Sequence, residues 1–305
     1  MKNETDARDP RASSLLVEAQ APEAGGVALL GLPFDSSIPS RPGARQGPKA
    51  FREALSTLTT FDGARDLAGR TCADLGDLDL PPTSVRRAHA RVEQASRAVF
   101  EAGAIPFFIG GDNGLTGALI RGLAAARPDL RLGLIVIDSH YDVREYDDED
   151  SLSSGTPYRR ALETAICEGS RTAILGTRSW ANSAWYHRWA LERGIHLLPV
   201  ETFDEQPASA VAESVLDRIA PASDAIFLSI DIDAVGSGEA PGSSAAHPGG
   251  LRAREAVALV RRIARSPKLI GADLSELSPP WDVQGMTAKL AARLFLEVWA
   301  GIAFR

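Results

Sequence analysis

Short, nearly uninterrupted apolar runs alternate with longer stretches of helical periodicity from about residue 26 to the end of the chain. Residues 27–33, 105–111, 132–138, 172–176, 195–200, 225–231 and 268–274 read as strands, and 132–138 (LGLIVID) is the clearest. Runs of this length with no polar alternation belong to strands buried on both faces. Between them, 47–58 reads as a helix with Pro48 in its first turn, where a missing N–H costs little. Residues 83–102 read as an amphipathic helix capped by Thr83 or Ser84, followed by helices over 115–126 and 285–303. Strands alternating with helices predict a three-layer α/β/α fold with a mainly parallel central sheet. Residues 1–25, rich in Glu, Asp, Arg, Ala and Gly, read as a flexible arm. With no repeat, linker or break in composition after it, 26–305 reads as a single α/β domain.

In such sheets ligands sit beyond the carboxyl ends of the strands. Three of those ends carry chemistry: Asp112-Asn113, Asp138-Ser139-His140-Tyr141-Asp142, and Asp231-Ile232-Asp233. Alternation along an extended strand would bring Asp138, His140 and Asp142 to one face, and Asp231 and Asp233 likewise. Carboxylates facing one spot repel one another unless a cation sits among them. A set rich in carboxylates with one imidazole suits Mn2+ or a similar hard divalent ion better than a structural zinc.

Several segments together resemble the ureohydrolases: arginase, agmatinase, proclavaminate amidinohydrolase and the guanidino-acid hydrolases. Gly31-Leu32-Pro33-Phe34-Asp35 and the stretch from Arg41 to Pro48 are similar to that family's N-terminal signature. Asp138 to Asp142 resembles its DAHxD metal motif, and Ser229 to Asp233 its SxDxD motif. Pro248-Gly249-Gly250 and the run from Asp273 to Pro279 match the two segments that follow, so the likeness spans about 26–303. It implies an arginase-like fold, one or two Mn2+ per chain, and hydrolysis of a guanidinium to urea and an amine by metal-activated water. By position, Asp138, His140, Asp231 and Asp233 would hold one ion; Asp138, Asp142 and Asp231 would hold the other. Glu276 would be the forked partner of a planar guanidinium, and Asp142 would also orient the nucleophile. Relatives assemble as trimers or hexamers, so the resemblance implies a homo-oligomer.

Three departures alter that picture. Where the family has GGDHS, this chain has Gly110-Gly111-Asp112-Asn113-Gly114, and Asn113 offers a neutral carbonyl oxygen in place of imidazole. One strong and one weak or empty metal position are therefore expected. Ser154 replaces the histidine that serves relatives as proton shuttle, and a hydroxyl does not titrate near neutral pH. The segment after Asp233 is rebuilt, which brings forward Glu239 and His247 as substitute contacts. Arg144, in the region where relatives bind the substrate tail, reads as a partner for a carboxylate, and Trp180 and Trp185 as lining for the entrance or as helix packing. The acidic run Asp147-Asp148-Glu149-Asp150 reads either as a cation lure at the cleft mouth or as a solvated loop.

A net charge of −7 argues against nucleic acid or an anionic membrane surface as the main partner. No apolar run approaches the ~20 residues of a membrane span, no signal-peptide core opens the chain, and two distant cysteines, Cys72 and Cys167, form no disulfide framework. A cytoplasmic protein acting on a small guanidino-type substrate is expected. The leading reading is an agmatinase-like amidinohydrolase for a specialised substrate. Its alternatives are an inactive homologue with a binding or regulatory role, and a one-metal or metal-free enzyme on a different substrate.

Overall fold

The structure, a computed structural model, describes residues 6–146 and 151–305. Within them the strands are β1 (Leu16–Glu18), β2 (Val27–Leu32), β3 (Cys72–Asp77), β4 (Ile105–Gly110), β5 (Leu132–Ile137), β6 (Cys167–Thr177), β7 (His196–Pro199), β8 (Ala225–Asp231) and β9 (Leu269–Ser275). They form one sheet in the order β1-β3-β2-β4-β9-β8-β5-β6-β7, with every neighbouring pair parallel. The helices are α1 (Gly47–Leu55), α2 (Val85–Glu101), α3 (Leu115–Ala126), α4 (Pro157–Leu162), α5 (Ala184–Glu192), α6 (Thr202–Glu205), α7 (Ala208–Ile219), α8 (Ala253–Ala264) and α9 (Met286–Ala303).

Strand alternation divides the core in two. Phe107, Ile109, Ile135, Ile137, Ile226 and Leu228 face α1, α7, α8 and α9. Their neighbours Phe108, Leu134, Val136 and Phe227 face α2, α3, α4 and α5. Both faces of the central strands are covered, which is why their sequences are continuous apolar runs. This is the three-layer arrangement expected. Among the described residues no helix is long and apolar enough to cross a membrane.

Two strands escape the hydrophobic pattern. The first is β3, with the sequence CADLGD; its acidic residues are tolerated because Arg52 of α1 pairs with Asp74 at 2.8 Å and Asp77 at 2.6 Å. The second is β1, which lies within the segment expected as a flexible arm. It pairs with β3, and Ala12 and Leu15 just before it are buried in the core. The acidic run 147–150 falls outside the described residues.

The strand order positions the site. Neighbours β4, β9, β8 and β5 end side by side, so the segments after Gly110, Ser275, Asp231 and Ile137 meet at one edge, although they are far apart in sequence. Packing beneath that edge is tight: Phe107 stacks on Phe51 with centroids 6.1 Å apart and meets Phe295 edge to face at 5.0 Å. Phe107→Ala is expected to lower stability by about 3–5 kcal/mol, the usual cost of emptying a large buried side chain. Urea unfolding measures it, and a loss below about 1 kcal/mol would show that the site collapses to fill the space.

Candidate metal centre

Backbone departures at the strand ends, more than strand alternation, bring the acidic groups together. β5 stops at Ile137, and Asp142 lies in the left-handed region at φ +42°. β8 stops at Asp231, whose carboxylate caps the following turn by accepting the Asp233 N–H at 2.8 Å. Turn geometry, and not strand alternation, therefore gathers these side chains. The turn after β4 needs glycine: a Cβ on Gly111 would lie 1.8 Å from the Phe34 carbonyl oxygen.

The result is two overlapping trios. Donor atoms of Asp138, His140 and Asp233 lie within 4.8 Å of one another, and so do those of Asp138, Asp142 and Asp231. All four carboxylates are buried, and His140 is partly so. Among the described residues none of the four is ion-paired to lysine or arginine; the one basic partner is His140, with Nδ1 3.2 Å from Asp233 and 3.5 Å from Asp138. Ser139 donates to Asp233 at 2.6 Å, and the His140 backbone N–H to Asp138 at 2.6 Å.

The electrostatics follow from this crowding. Burial, then the Asp138 charge, pushes Asp142 well above the usual carboxylate range; burial and the neighbouring aspartates do the same to Asp231. Asp138 is raised chiefly by burial. Burial also opposes charge on Asp233, but the His140 imidazolium outweighs it and holds this carboxyl low. For His140 burial favours the neutral ring, yet Asp233 and Asp138 push it up to about 12. A buried cluster this acidic, partnered by a single proton-carrying imidazole, is suited to a divalent cation, and its oxygen-rich donors with one nitrogen match Mn2+ chemistry.

Glu276 closes the cluster on the β9 side. It is a non-glycine residue at φ +65° and is almost fully buried. One of its oxygens accepts the Asn113 backbone N–H at 2.7 Å and the other accepts the Ser244 hydroxyl. Burial, then Asp112, raises its carboxyl well above the usual range. Ser244 lies in the rebuilt loop, which Arg41 clasps through the carbonyl oxygens of Ser243 at 2.8 Å and Ser244 at 3.3 Å. Strain held at such a position is common where a side chain must be aimed.

The Thr116 hydroxyl, which donates to Asp273 at 2.6 Å, lies 3.2 Å from the carbonyl oxygen of Asn113, and Asn113 accepts the Ser275 hydroxyl there at 3.1 Å. Its NH2 faces Asp142 at 2.9 Å and Asp138 at 3.3 Å. Ionised carboxylates only accept, so a donor must face them.

Ser154 is half-buried on the loop whose Ser153 carbonyl packs against Gly114, and its backbone N–H reaches Ser37 at 3.4 Å. Arg144 is half-buried beside Asp142 and Tyr146. It lines a hollow of about 320 Å³ with Tyr141, Asn182 and Tyr186. Trp180 is fully exposed at φ +66° and lines an open cleft of about 510 Å³ that reaches His140, Arg178 and His247. Glu239 accepts the Ala253 N–H at 2.9 Å and so caps the start of α8. His247 is exposed on the cleft wall.

Two participants went unread in the sequence. Ser244 had the weak signal of lying in the rebuilt loop. Tyr158 had none: it is fully buried at the start of α4, with its hydroxyl 3.1 Å from Asp138.

The central strand ends of this parallel α/β sheet converge on a carboxylate–imidazole cluster of the kind that could hold a divalent ion. The chain belongs to the arginase family, whose model matches residues 25–301. It is 33% identical over 305 residues to a formimidoylglutamase of Halobacterium salinarum, covering 97% of this chain and 95% of that protein. It is 32% identical to a guanidinopropionase of Pseudomonas aeruginosa, covering 91% and 86%. The crystal structure of formimidoylglutamase from Bacillus subtilis superposes with a TM-score of 0.93 at 28% identity, covering 99% of this chain and 95% of that one. Membership places the protein among hydrolases of amidino and guanidino groups.

The proton on His140 must leave before the ring can coordinate, and the raised carboxyls of Asp142 and Asp231 take up protons as pH falls. Mn2+ affinity is therefore expected to drop by about tenfold or more per unit of falling pH. Calorimetric titrations in buffers of different ionisation heat check both the slope and the released proton. A pH-independent affinity contradicts it.

Proposed function

We propose that the protein hydrolyses the C–N bond of an amidino or guanidino compound whose tail carries a carboxylate, with Mn2+ as its cofactor. The observation that carries this reading is the pairing of two opposite environments. A buried acidic cluster with no lysine or arginine ion pair among the described residues adjoins a half-buried arginine that likewise has none. The first suits a divalent ion and a cationic amidinium, and the second suits an anionic tail.

In this reading Asp138, His140, Asp142, Asp231 and Asp233 hold the metal. A bound divalent ion supplies an activated water and neutralises the charge that develops on the amidino group. Glu276, held by the Asn113 N–H and the Ser244 hydroxyl, receives the planar amidinium with its free lone pairs. Asp142 orients the nucleophile as a hydrogen-bond acceptor. Arg144 anchors the carboxylate, and Trp180 covers the open side of the cleft. Ser154 contributes a hydrogen bond near the leaving amine, because its hydroxyl does not exchange protons near neutral pH.

Arg144 also argues against agmatine, whose tail ends in an ammonium that a neighbouring guanidinium repels. The relatives support the carboxylate instead, since formimidoylglutamase and guanidinopropionase are named for derivatives of carboxylic acids.

Mn2+-loaded protein assayed against formimidoylglutamate, guanidinopropionate and agmatine tests the proposal, by release of formamide or urea. At least one carboxylated compound is expected to exceed agmatine by about a hundredfold in kcat/KM. Arg144→Ala is expected to raise KM for that compound by about tenfold to a hundredfold, the size of losing a hydrogen bond to a charged group, with a smaller change in kcat. Equal turnover of agmatine, or no turnover of any of the three, would sink the reading.

A further inference from the structure

The two trios share Asp138, but its oxygens are not equivalent. Oδ1 faces His140, through the backbone N–H at 2.6 Å and the ring Nδ1 at 3.5 Å. Oδ2 faces two neutral donors, the Tyr158 hydroxyl at 3.1 Å and the Asn113 NH2 at 3.3 Å. The same NH2 reaches Asp142 at 2.9 Å. One half of the cluster is thus faced by a ring nitrogen that can itself serve as a ligand. The other is filled with hydrogen bonds that a cation must break.

Tyr158 is held to this task from several sides. Its ring is fully buried in the core layer between the sheet and α2 to α5. Its backbone N–H donates to the Asp142 carbonyl at 3.1 Å, which ties the phenol to the loop that carries Asp142 of the second trio. Its hydroxyl lies 3.5 Å from the Ser229 hydroxyl on β8 and 3.4 Å from the Asn113 NH2. A phenol has a single proton to give, and an ionised carboxylate is the strongest acceptor within reach, so that proton goes to Asp138. The remaining contacts fall on the phenol's lone pairs. Asn113 is fixed in turn, because the Ser275 hydroxyl donates to its carbonyl oxygen at 3.1 Å and keeps its NH2 toward the carboxylates.

We propose that Tyr158 is a positioning residue that makes the two metal positions unequal. With Asn113, it covers the Oδ2 side of Asp138 with donors, so a first divalent ion is taken by Asp138, His140 and Asp233. A second, at Asp138, Asp142 and Asp231, binds more weakly. The inference rests on the reading of the cluster as a metal centre, and it adds which side chain grades the affinities.

Equilibrium titration of Mn2+ into metal-free protein, followed by calorimetry and by the electron paramagnetic resonance of free Mn2+, tests it in wild type and Tyr158→Phe. The wild type is expected to bind one ion tightly and a second at least about tenfold more weakly. In Tyr158→Phe the first constant is expected to stay within about threefold, while the second tightens by about tenfold, the effect of removing one hydrogen bond to a charged acceptor. If the wild type takes up only one ion at millimolar Mn2+, the variant is expected to reveal the second. Two unchanged constants, or two that shift together, overturn the inference and leave the metal centre standing. No Mn2+ uptake by the wild type overturns both. Should Tyr158→Phe not fold, Asn113→Ala reads the same point by removing the other donor to that oxygen. A tighter second step supports the proposal, and a weaker one would mean that Asn113 is a ligand and overturns it.

Discussion

Mutual repulsion among buried carboxylates is the constraint around which the active edge of this protein is organised. Asp138, Asp142, Asp231 and Asp233 are removed from water together, and His140 is the sole basic side chain ion-paired with them among the described residues. Leaving such charge uncompensated is costly. The surroundings answer it partially, with hydroxyl, amide and backbone donors from Ser139, Tyr158, Asn113 and the chain itself. Those neutral donors moderate the field without cancelling it. The remaining deficit is what a divalent cation and a cationic amidinium can satisfy, so metal affinity and substrate preference draw on one source.

The fold does its part through strand order. Because β9 lies between β4 and β8, Glu276 arrives beside Asn113 at 2.7 Å although 163 positions separate them. Around this edge the N-terminal segment acts as a frame. Asp112 accepts from the Ser37 backbone at 3.1 Å, and Arg41 holds the Ser243–Ser244 loop while stacking over Trp281 at 4.7 Å. Residues with no chemistry of their own thereby decide where Glu276 points.

Much of this was readable from residue order alone. Unbroken apolar runs such as LGLIVID announced strands covered on both faces, and the acidic residues at their ends named four of the cluster's members. What stayed hidden has physical reasons. β3 is acidic because Arg52 compensates it across a helix, a long-range pairing that no local pattern carries. Asn113 was read as an oxygen donor to the ion, and the direction of its amide is set by the Ser275 hydroxyl, 162 positions away. Tyr158 looks in the sequence like any aromatic core residue, and only its hydroxyl's position beside Asp138 gives it a role.

The late place of β9 in the chain bears on how the protein matures. Glu276 and the strand that closes the gap between β4 and β8 follow every other strand of the sheet in sequence. Contacts between segments so distant form slowly, since loop closure must precede them. The direct pairing of β5 with β8 already brings Asp138, Asp231 and Asp233 together, and β9 adds Glu276 beside them. The donor cluster and the carboxylate beside it are therefore completed by separate strand pairings, the first between β5 and β8 and the second by β9.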